Sequence, residues 1–547
     1  MEGLSAVPSA GPLCQGLRQR VPGMEMVTGS EQTNAGSAQV PVAAANSLSV
    51  LAPDGFGLTG AGLAVLLSVH VVVWTLAATI AQSSGGLHHD MTEAYDWGRE
   101  FQLGYYKHPP LFPWIAGTWF LVFPRTDWAF YLLSAVNAAC GLAGVWWLAG
   151  RLMPKREQTL ALLLLVLTPF FSVMAITFNA NAVLLLVWPW TAWAFVRSLQ
   201  TGKLGDGVLF GVMAALALLA KYSSIFLLAS CLIAALLHPR RASYFGSRAP
   251  YAALLACSML CLPHAIWVFQ HQLTPVNYLL QKPQMRFRAQ LFATGTSLLG
   301  VAALFVLPQA ALATLMGLPE SLRLLIRAGV AAVSADRGWL LALAAGPLTL
   351  TLIAGLATGV KLSTNYFLPT LFLFPIAVTA ASFPLAQHAR LGLLWRFVAG
   401  WLIFGLLAAP LVAVTTFVLH VNQAVEPRRE IAQEATRLWH EAFGRPLRFV
   451  AGTEAFGLGV PFYSADPASL YILAAPDASP WITASDIARD GLLIVCDRAD
   501  VDCIAEATRT SSPVTRRQSV RLAHGFLGWV SRDFNFELFM VPPTTRQ

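Results

Sequence analysis

Four carboxylates are gathered in one short stretch of an otherwise apolar sequence. Between Gly57 and Leu419 the chain has only nine acidic side chains, and four of them lie within residues 88–114: Asp90, Glu93, Asp96 and Glu100. Charged groups are costly close to hydrocarbon, so a cluster of them at a membrane face indicates a functional site. Asp90 and Glu93 are three residues apart, which places them on one face of a helical turn, and a carboxylate held beside a hydroxyl can act as a general base. The simpler alternative is a solvated loop helix.

Cationic and aromatic side chains follow this acidic stretch closely. Lys107 and His108 directly precede a double proline, and cations at such a place could stabilise the charge that develops on a departing phosphate. Tyr105 and Tyr106 offer flat surfaces that could stack on a sugar ring. Aromatic residues also anchor membrane proteins at the interface, so both interpretations stay open.

A metal site is a further hypothesis for the same stretch. His88 and His89 come directly before Asp90. A divalent ion bound there would take His89, Asp90 and Glu93 as ligands. Two adjacent histidines do not easily share a helical face, which argues against a site that uses both. The sequence leaves metal binding undecided.

Three more cationic residues lie beside apolar segments. Lys221 either extends its amine to the membrane interface or binds phosphate. Arg286 either holds a lipid phosphate or belongs to a solvated loop, and Lys361 is either a helix-end anchor or a binding residue. Asn179 and Asn181 are expected to cap a turn.

The composition is typical of a polytopic membrane protein. Of the 547 residues, 56% are hydrophobic and only 12% are charged, which is about half the charged fraction of soluble globular domains. The mean hydropathy is +0.59. The formal net charge of +8 suits basic loops that face anionic lipid, and no nucleic-acid-binding motif competes with that interpretation.

The apolar segments predict about eleven transmembrane helices, since each needs about 20 residues. They form a predicted transmembrane domain at 57–419, whose first extramembrane loop, 83–127, contains the acidic stretch. Residues 1–56 are predicted to be a disordered cytoplasmic tail, unless the true start is Met24 or Met26. Residues 420–547 are predicted to be a small α/β domain. The eleven segments are 58–82, 128–150, 159–177, 180–197, 207–220, 222–238, 250–269, 291–316, 338–359, 364–384 and 393–419.

The distribution of lysine and arginine predicts the orientation. These residues are more frequent in the loops on the same side as the N-terminal tail, which favours the cytoplasm for that side. The loop 83–127 and the region 420–547 are then periplasmic. Cys496 and Cys503 could pair in that compartment, and the sequence leaves open whether they do.

The end of the acidic loop is recognisable as a motif. The sequence GYYKHPPL at 104–111, preceded by Asp90 and Glu93, resembles the first periplasmic loop of the glycosyltransferase family 39 and aminoarabinose-transferase-like family of lipid-linked sugar transferases, which have the GT-C fold. The resemblance covers about 57–547. Weaker matches are TFNAN at 177–181, AKYSS at 220–224, LTPVNY at 273–278 and NYFLP at 365–369.

The resemblance implies a fold and a function. The fold is an α-helical membrane protein of GT-C type with a C-terminal periplasmic α/β domain. The function is that of an inner-membrane glycosyltransferase, which moves a sugar from a polyprenyl-phosphate donor to a periplasmic acceptor such as lipid A or another envelope glycolipid. Asp90 would be the base for an inverting displacement, with Glu93 as its neighbour or as a metal ligand. The implied substrate-binding residues are Tyr105, Tyr106, Lys107, His108, Asn181, Lys221, Tyr222, Arg286, Lys361 and Tyr366.

The sequence departs from the family pattern at three places. Many relatives have adjacent Asp-Glu in the first loop, whereas Thr92 precedes Glu93 here. Many have an aspartate near position 181, and Asn181 removes that charge, which weakens the case for a fully acidic metal site. Several have lysine directly before the double proline, where this chain has His108.

A transporter or flippase of a lipid-linked saccharide is the alternative. Such proteins often have inverted repeats and broken helices with charges near the middle of the membrane. This sequence has no visible repeat, and its charges gather at one face. That pattern favours the enzyme.

Overall fold

The computed structural model describes residues 57–281, 284–317, 319, 323, 338–381 and 391–544. The predicted tail at 1–56 lies outside the described residues. The described chain from Gly57 onwards belongs to one compact unit. The division at residues 56 and 419 stays a prediction.

Helices build the chain up to residue 418. In chain order they are α1 (Gly60–Ala81), α2 (His89–Glu100), α3 (Leu111–Trp119), α4 (Asp127–Leu152), α5 (Lys155–Val166), α6 (Ala180–Thr201), α7 (Leu204–Ala220), α8 (Ser224–Leu237), α9 (Arg241–Phe245), α10 (Ala249–Gln270), α11 (Thr274–Leu280), α12 (Phe287–Ala303), α13 (Val306–Met316), α14 (Gly338–Thr358), α15 (Thr364–Phe367), α16 (Phe374–Ala381) and α17 (Leu391–Val418).

Seven helices among the described residues are long and apolar enough to cross a membrane, and an eighth span results if one bent pair is counted as a single span. They confirm a polytopic helical membrane protein. The bent pair is α5 with the segment Pro169–Ala175. The seven are α1, α4, α6, α10, α14, α17 and the segment Phe287–Pro308, which contains α12.

Five of the predicted transmembrane segments are not single long helices in the structure. The segment predicted at 291–316 is divided between α12 and α13. The segment predicted at 159–177 bends by 70° beside Pro169, because proline cannot continue the helical hydrogen bonds. The chain breaks again at Lys221, so that α7 and α8 have only 17 and 14 residues. The described part of 364–384 is divided into short helices near Pro369. The predicted number of eleven is therefore not confirmed.

The acidic loop is a compact pair of helices between α1 and α4. Helix α2 lies directly against α3, and the two touch at Gly98 and Gly117. A Cβ atom on Gly98 would lie 2.3 Å from the carbonyl oxygen of Pro113, and one on Gly117 would lie 2.1 Å from that of Gly98. Glycine is required at both positions because no side chain fits between the two backbones.

Beyond α17, the chain forms an α/β region around a five-stranded sheet. The strands are ordered β2-β1-β3-β7-β4; β1 is parallel to β2 and β3, and β7 is antiparallel to β3 and β4. A disulfide joins Cys496 to Cys503. The elements are α18 (Arg428–Phe443), β1 (Phe449–Gly452), α19 (Glu454–Gly457), α20 (Val460–Tyr463), β2 (Ser469–Leu470), α21 (Ala484–Asp490), β3 (Leu492–Asp497), α22 (Val501–Thr510), β4 (Arg516–Leu522), β5 (Gly525–Phe526), β6 (Trp529–Val530) and β7 (Phe534–Val541).

The core of this region forms between α18 and one face of the sheet. Trp439 of α18 is fully buried, as are Leu493 and Val495 of β3 and Phe536 of β7. Helix α18 is amphipathic: it turns apolar residues to the sheet and leaves Arg429, Arg437 and Glu441 on its outer face. The sheet thereby gives a rigid support to the segments that connect its strands.

Candidate active site

The first turn of α2 presents Asp90 at the surface. The Asp90 side chain is 33% exposed, whereas Glu93 and Asp96 on the same helix are buried. His88 caps the helix, since its Nδ1 accepts the backbone N–H of Asp90 at 3.1 Å. Of the predicted acidic pair, Asp90 is therefore the member that is open to a ligand.

Asn179 holds the Asp90 carboxylate from the neighbouring helix. Its Nδ2 donates to Asp90 Oδ2 at 2.9 Å. Its Oδ1 accepts the backbone N–H groups of Asn181 and Ala182 at the start of α6. The capping role expected for Asn179 is therefore present, and the same amide also orients the candidate base.

Glu93 forms a buried ion pair with Lys107. Lys107 Nζ lies 2.7 Å from Glu93 Oε1, and the two side chains are 12% and 6% exposed. Burial raises the pKa of Glu93 to about 7, because the loss of hydration outweighs the attraction of Lys107. Burial by itself would lower the pKa of Lys107, but the Glu93 carboxylate beside it raises that pKa overall. The amine thus stays charged while Glu93 titrates near neutral pH.

Aromatic rings surround the Lys107 amine. Its Nζ lies 5.5 Å from the ring centre of Trp97 and 5.4 Å from that of Tyr106, within cation–π range. The half-buried ring of His108 lies edge-on 5.4 Å from Phe112. The amine is thus held in a fixed place by its surroundings, with Tyr106 and His108 only partly covered.

Tyr105 does not have the place predicted for a sugar-stacking residue. It is fully buried, and its ring stacks on Trp97 with 4.7 Å between ring centres. Its hydroxyl donates to the carbonyl oxygen of Trp97 at 2.6 Å. Because Trp97 covers the ring and the hydroxyl is used inside the loop, Tyr105 supports the loop instead of facing a ligand.

Three of the predicted binding residues form a second cluster of contacts. Lys221, at the break between α7 and α8, donates through Nζ to Asn181 Oδ1. The same Nζ lies 4.7 Å from the ring centre of Tyr366. Asn181 is in the first turn of α6, directly after Asn179 and Ala180. The start of α6 thus connects Lys221 with Asp90.

Tyr222 contacts His264, whereas the neighbouring Lys221 contacts Asn181. Its hydroxyl lies 3.0 Å from His264 Nε2, and His264 Nδ1 lies 2.7 Å from the carbonyl oxygen of Leu103. Leu103 directly precedes the GYYKHPPL motif. Tyr222 therefore braces the loop through His264.

Arg286 and Lys361 are brought together by the backbone. Gln284 and Val360 form an antiparallel bridge, and the Met285 N–H donates to the Gly359 carbonyl oxygen at 2.9 Å. Arg286 and Lys361 are exposed at this bridge. They form a separate cationic pair, and among the described residues no hydrogen bond or ion pair joins it to Asp90.

The residues placed to hold a metal ion differ in one member from the predicted set. Ligand atoms of His88, His89 and Asp90 lie within 4.8 Å of one another. Burial lowers the pKa of His88 to about 4 against the attraction of Asp90, so its ring is neutral and able to coordinate. Glu93, the third predicted ligand, is occupied by Lys107. The group that could hold a divalent ion is therefore His88, His89 and Asp90.

The α/β region forms hydrogen bonds with the segment that precedes α2. Buried Arg428 donates through Nη1 to the Leu87 carbonyl oxygen at 2.8 Å. The Leu87 N–H donates to the Tyr463 hydroxyl at 2.7 Å, and that hydroxyl donates to Asp127 at 3.1 Å. Both backbone groups of Leu87 are therefore fixed, which sets the start of α2.

The same region also forms hydrogen bonds with residues along α2. Arg99 donates to the carbonyl oxygens of Ala468 and Pro467 at 2.7 and 3.0 Å. The Leu470 N–H donates to Asp96 Oδ1 at 3.2 Å. Burial raises the pKa of Asp96 to about 8, so this carboxyl is protonated at neutral pH and serves as a structural acceptor.

The residues that sequence reasoning did not place at the site lie far from the loop in sequence. The TFNAN motif predicted that Asn179 caps a turn, but it did not predict the contact with Asp90. No sequence pattern indicated Arg428, Tyr463 or Leu470, because their contacts with α2 and the segment before it form only in the folded chain. Glu454 at the start of α19 is a further case, since its charge acts on both Glu93 and Lys107.

Known proteins resemble this chain over part of its sequence and over nearly all of its fold. Residues 107–267 match the family described as dolichyl-phosphate-mannose-protein mannosyltransferase. The lipid A galacturonosyltransferase RgtD of Rhizobium johnstonii is 23% identical over 209 residues, which are 35% of this chain and 40% of that protein. The match thus spans well under two thirds of that relative. Both findings support the resemblance to lipid-linked sugar transferases.

Two crystal structures of ArnT from Cupriavidus metallidurans share the fold. The form bound to undecaprenyl phosphate has a TM-score of 0.59 at 13% identity, and the match covers 88% of this chain and 98% of that one. The apo form has a TM-score of 0.57 at 14% identity and covers 87% and 97%. The GT-C type of fold predicted from the sequence is confirmed.

Proposed function

We propose that this protein is a membrane glycosyltransferase that moves a sugar from a polyprenyl-phosphate donor to an envelope lipid such as lipid A. One observation carries the proposal: an open carboxylate, Asp90, is held by Asn179 on one side of a site that also holds the amines of Lys107 and Lys221. A base and fixed cations are the groups that glycosyl transfer from a phosphate requires. The ArnT fold and the partial match to a lipid A galacturonosyltransferase support the same function.

Asp90 is the proposed general base. Its carboxylate takes the proton of the acceptor hydroxyl as that oxygen attacks the anomeric carbon of the donor. A new carbon–oxygen bond forms on one face of the sugar, and the bond to the phosphate oxygen breaks on the other. The configuration is inverted, the proton ends on Asp90, and the polyprenyl phosphate leaves with the bonding electron pair.

Cations stabilise the phosphate in this proposal. Lys107 is fixed beside Glu93 and among aromatic rings, so little reorganisation is needed when charge develops on the leaving group. Lys221 holds a similar place beside Asn181 and Tyr366. His108, Arg286 and Lys361 complete the proposed set, the last two as an exposed pair that suits the charged headgroup of a lipid.

The sugar is proposed to lie between these groups. Tyr106 and Tyr366 each lie beside a lysine amine, and their rings are partly exposed. A ring beside a cation can contact the apolar face of a sugar while the cation contacts its phosphate. A divalent ion held by His88, His89 and Asp90 would supply further positive charge there.

The proposed location is the inner membrane of a bacterium, with the site on the periplasmic side. The arginine and lysine distribution supports this orientation, and so does the disulfide between Cys496 and Cys503, since disulfides persist in oxidising compartments. Reporter fusions after residue 440 test it. A periplasmic reporter should be active there, and activity of a cytoplasmic reporter at that point would place the site on the other side.

Purified protein in vesicles tests the reaction. We expect a polyprenyl-phosphate sugar and lipid A to give a glycosylated lipid and free polyprenyl phosphate in equal amounts, measured by mass spectrometry. Movement of the lipid-linked sugar across the vesicle membrane without a glycosylated product would identify a flippase and overturn the proposal. Mass spectrometry of lipid A and other envelope glycans from a deletion strain would name the sugar and its acceptor.

A further inference from the structure

The hairpin of β5 and β6 exposes a continuous apolar tip. Leu527 and Val530 are 73% and 70% exposed, and Trp529 is 48% exposed. Leu527 and Gly528 form the turn between the two strands, with positive φ values of 49° and 85°. Apolar residues grouped at a protruding tip indicate a contact surface.

This hairpin lies at the ends of two membrane-spanning helices. The ring of Phe526 lies 5.5 Å from that of Phe417, in the last turn of α17. His524 Nε2 lies 2.9 Å from the carbonyl oxygen of Ser84, just beyond the end of α1. Helices α1 and α17 pack against each other. The base of the hairpin therefore lies beside the adjacent ends of these two apolar helices.

The apolar surface continues from the helix end to the hairpin. Val418 and Leu419, which end α17 and follow it, are exposed. Arg532 lies exposed beyond β6 with its guanidinium 5.0 Å from the ring centre of Phe534. An apolar tip with a tryptophan and a nearby arginine has the chemistry of a membrane interface, where tryptophan lies at the headgroup level and arginine can reach lipid phosphates.

We propose that the tip formed by Leu527, Gly528, Trp529 and Val530 inserts into the interfacial layer of the membrane beside the ends of α1 and α17. The partner of this tip is the lipid surface itself. The tip would hold the α/β region against the membrane. That region in turn positions α2 through its hydrogen bonds to Leu87 and Asp96. Membrane contact at the hairpin would thereby fix the height of Asp90 above the lipid.

The test uses the full chain in lipid vesicles with one labelled cysteine. Cys14, Cys140, Cys231, Cys257 and Cys261 are first replaced by serine, and the disulfide is kept. Leu527→Cys then carries an environment-sensitive fluorophore. Val514→Cys is the matched control, because Val514 is also apolar and is 66% exposed. Strand β4, which is about 20 Å long, lies between the two positions in the chain.

We expect a spin label on the upper acyl chain of the lipid to quench the fluorophore at 527 several-fold more than at 514. Iodide in the buffer should give the reverse order. Equal quenching at the two positions would overturn the proposal. Efficient disulfide cross-linking between copies of the unlabelled Leu527→Cys variant would overturn it too, since a second copy would then be the occupant. Val530→Cys provides the same measurement if Leu527→Cys does not fold.

Discussion

Asn179 and Asp90 are joined by a hydrogen bond of 2.9 Å between Nδ2 and Oδ2. The orientation of the Asn179 amide is fixed, because its oxygen accepts two backbone N–H groups at the start of α6. A rotated amide would lose these bonds and present its oxygen to a carboxylate. One side chain thus caps the start of α6 and aims the candidate base.

Asn179→Ala tests this coupling. We expect kcat to fall about tenfold, because a misplaced reacting group is costly to the rate, while the KM for the donor changes by less than about twofold. Asn179→Ser is the control, since serine caps a helix well but its hydroxyl is too short to hold Asp90. If Asn179→Ser transfers sugar as fast as the wild type, the bond to Asp90 is unimportant and the cap alone matters.

Asp90→Asn removes the proposed base and keeps the volume of the side chain. We expect transfer to slow on the order of 10²–10⁴-fold, with donor binding kept because it depends on the cations. The measurement is product formation with purified protein, polyprenyl-phosphate sugar and acceptor. Normal transfer by Asp90→Asn together with an inactive Glu93→Gln would assign the base to Glu93 instead.

Lys107→Met tests phosphate stabilisation. We expect donor use to weaken by about ten- to hundredfold, since a charge-assisted contact contributes about 1.5–3 kcal/mol. The single change also leaves the buried Glu93 without its partner, which lowers stability. Lys107→Met with Glu93→Gln separates the two effects.

In that double variant, thermal stability should return towards the wild-type value while donor use stays weak. Recovery of donor use would mean that Lys107 acts only on folding. His108→Ala is measured beside it, and near-normal turnover would remove His108 from the site.

The pH dependence of donor binding should report on Glu93. Its pKa of about 7 means that Glu93 is neutral below this pH and ionised above it. Ionised Glu93 neutralises part of the Lys107 charge, so the KM for the donor should rise about threefold to tenfold as pH increases through 7. The donor phosphodiester stays ionised throughout. Glu93→Gln should make the KM independent of pH in this range, and an unchanged profile in Glu93→Gln would contradict the assignment.

Asp96→Asn should stabilise the protein at alkaline pH. The Asp96 pKa is raised to about 8 from 3.8, so between these values the folded protein keeps a proton that the unfolded chain has released. Stability therefore falls as pH rises through this window. We expect the variant to be more stable by about 1–3 kcal/mol at pH 8, with the difference vanishing near pH 4. Thermal unfolding at both values measures it, and a destabilised variant at pH 8 would show that Asp96 is ionised in the fold.

The sequence predicted the helical acidic stretch because the spacing of Asp90 and Glu93 is a local property. It did not predict that Glu93 is buried against Lys107, since this contact depends on how the chain returns after α2. It also could not distinguish Tyr105 from Tyr106: adjacent aromatic residues look alike, and only packing against Trp97 separates them. The long helices followed from hydropathy. The breaks at Pro169 and Lys221 depend on what neighbouring helices supply to the freed backbone groups.

The contacts that complete the site join parts of the chain made at very different times. Asp96 and Leu470 are 374 residues apart, so at about 5–20 residues per second the ribosome needs about 20–75 s to pass from one to the other. During that interval α2 is already outside the ribosome without the partners that hold it. The candidate site is thus completed only after this part of the α/β region has been synthesised, long after its own carboxylate.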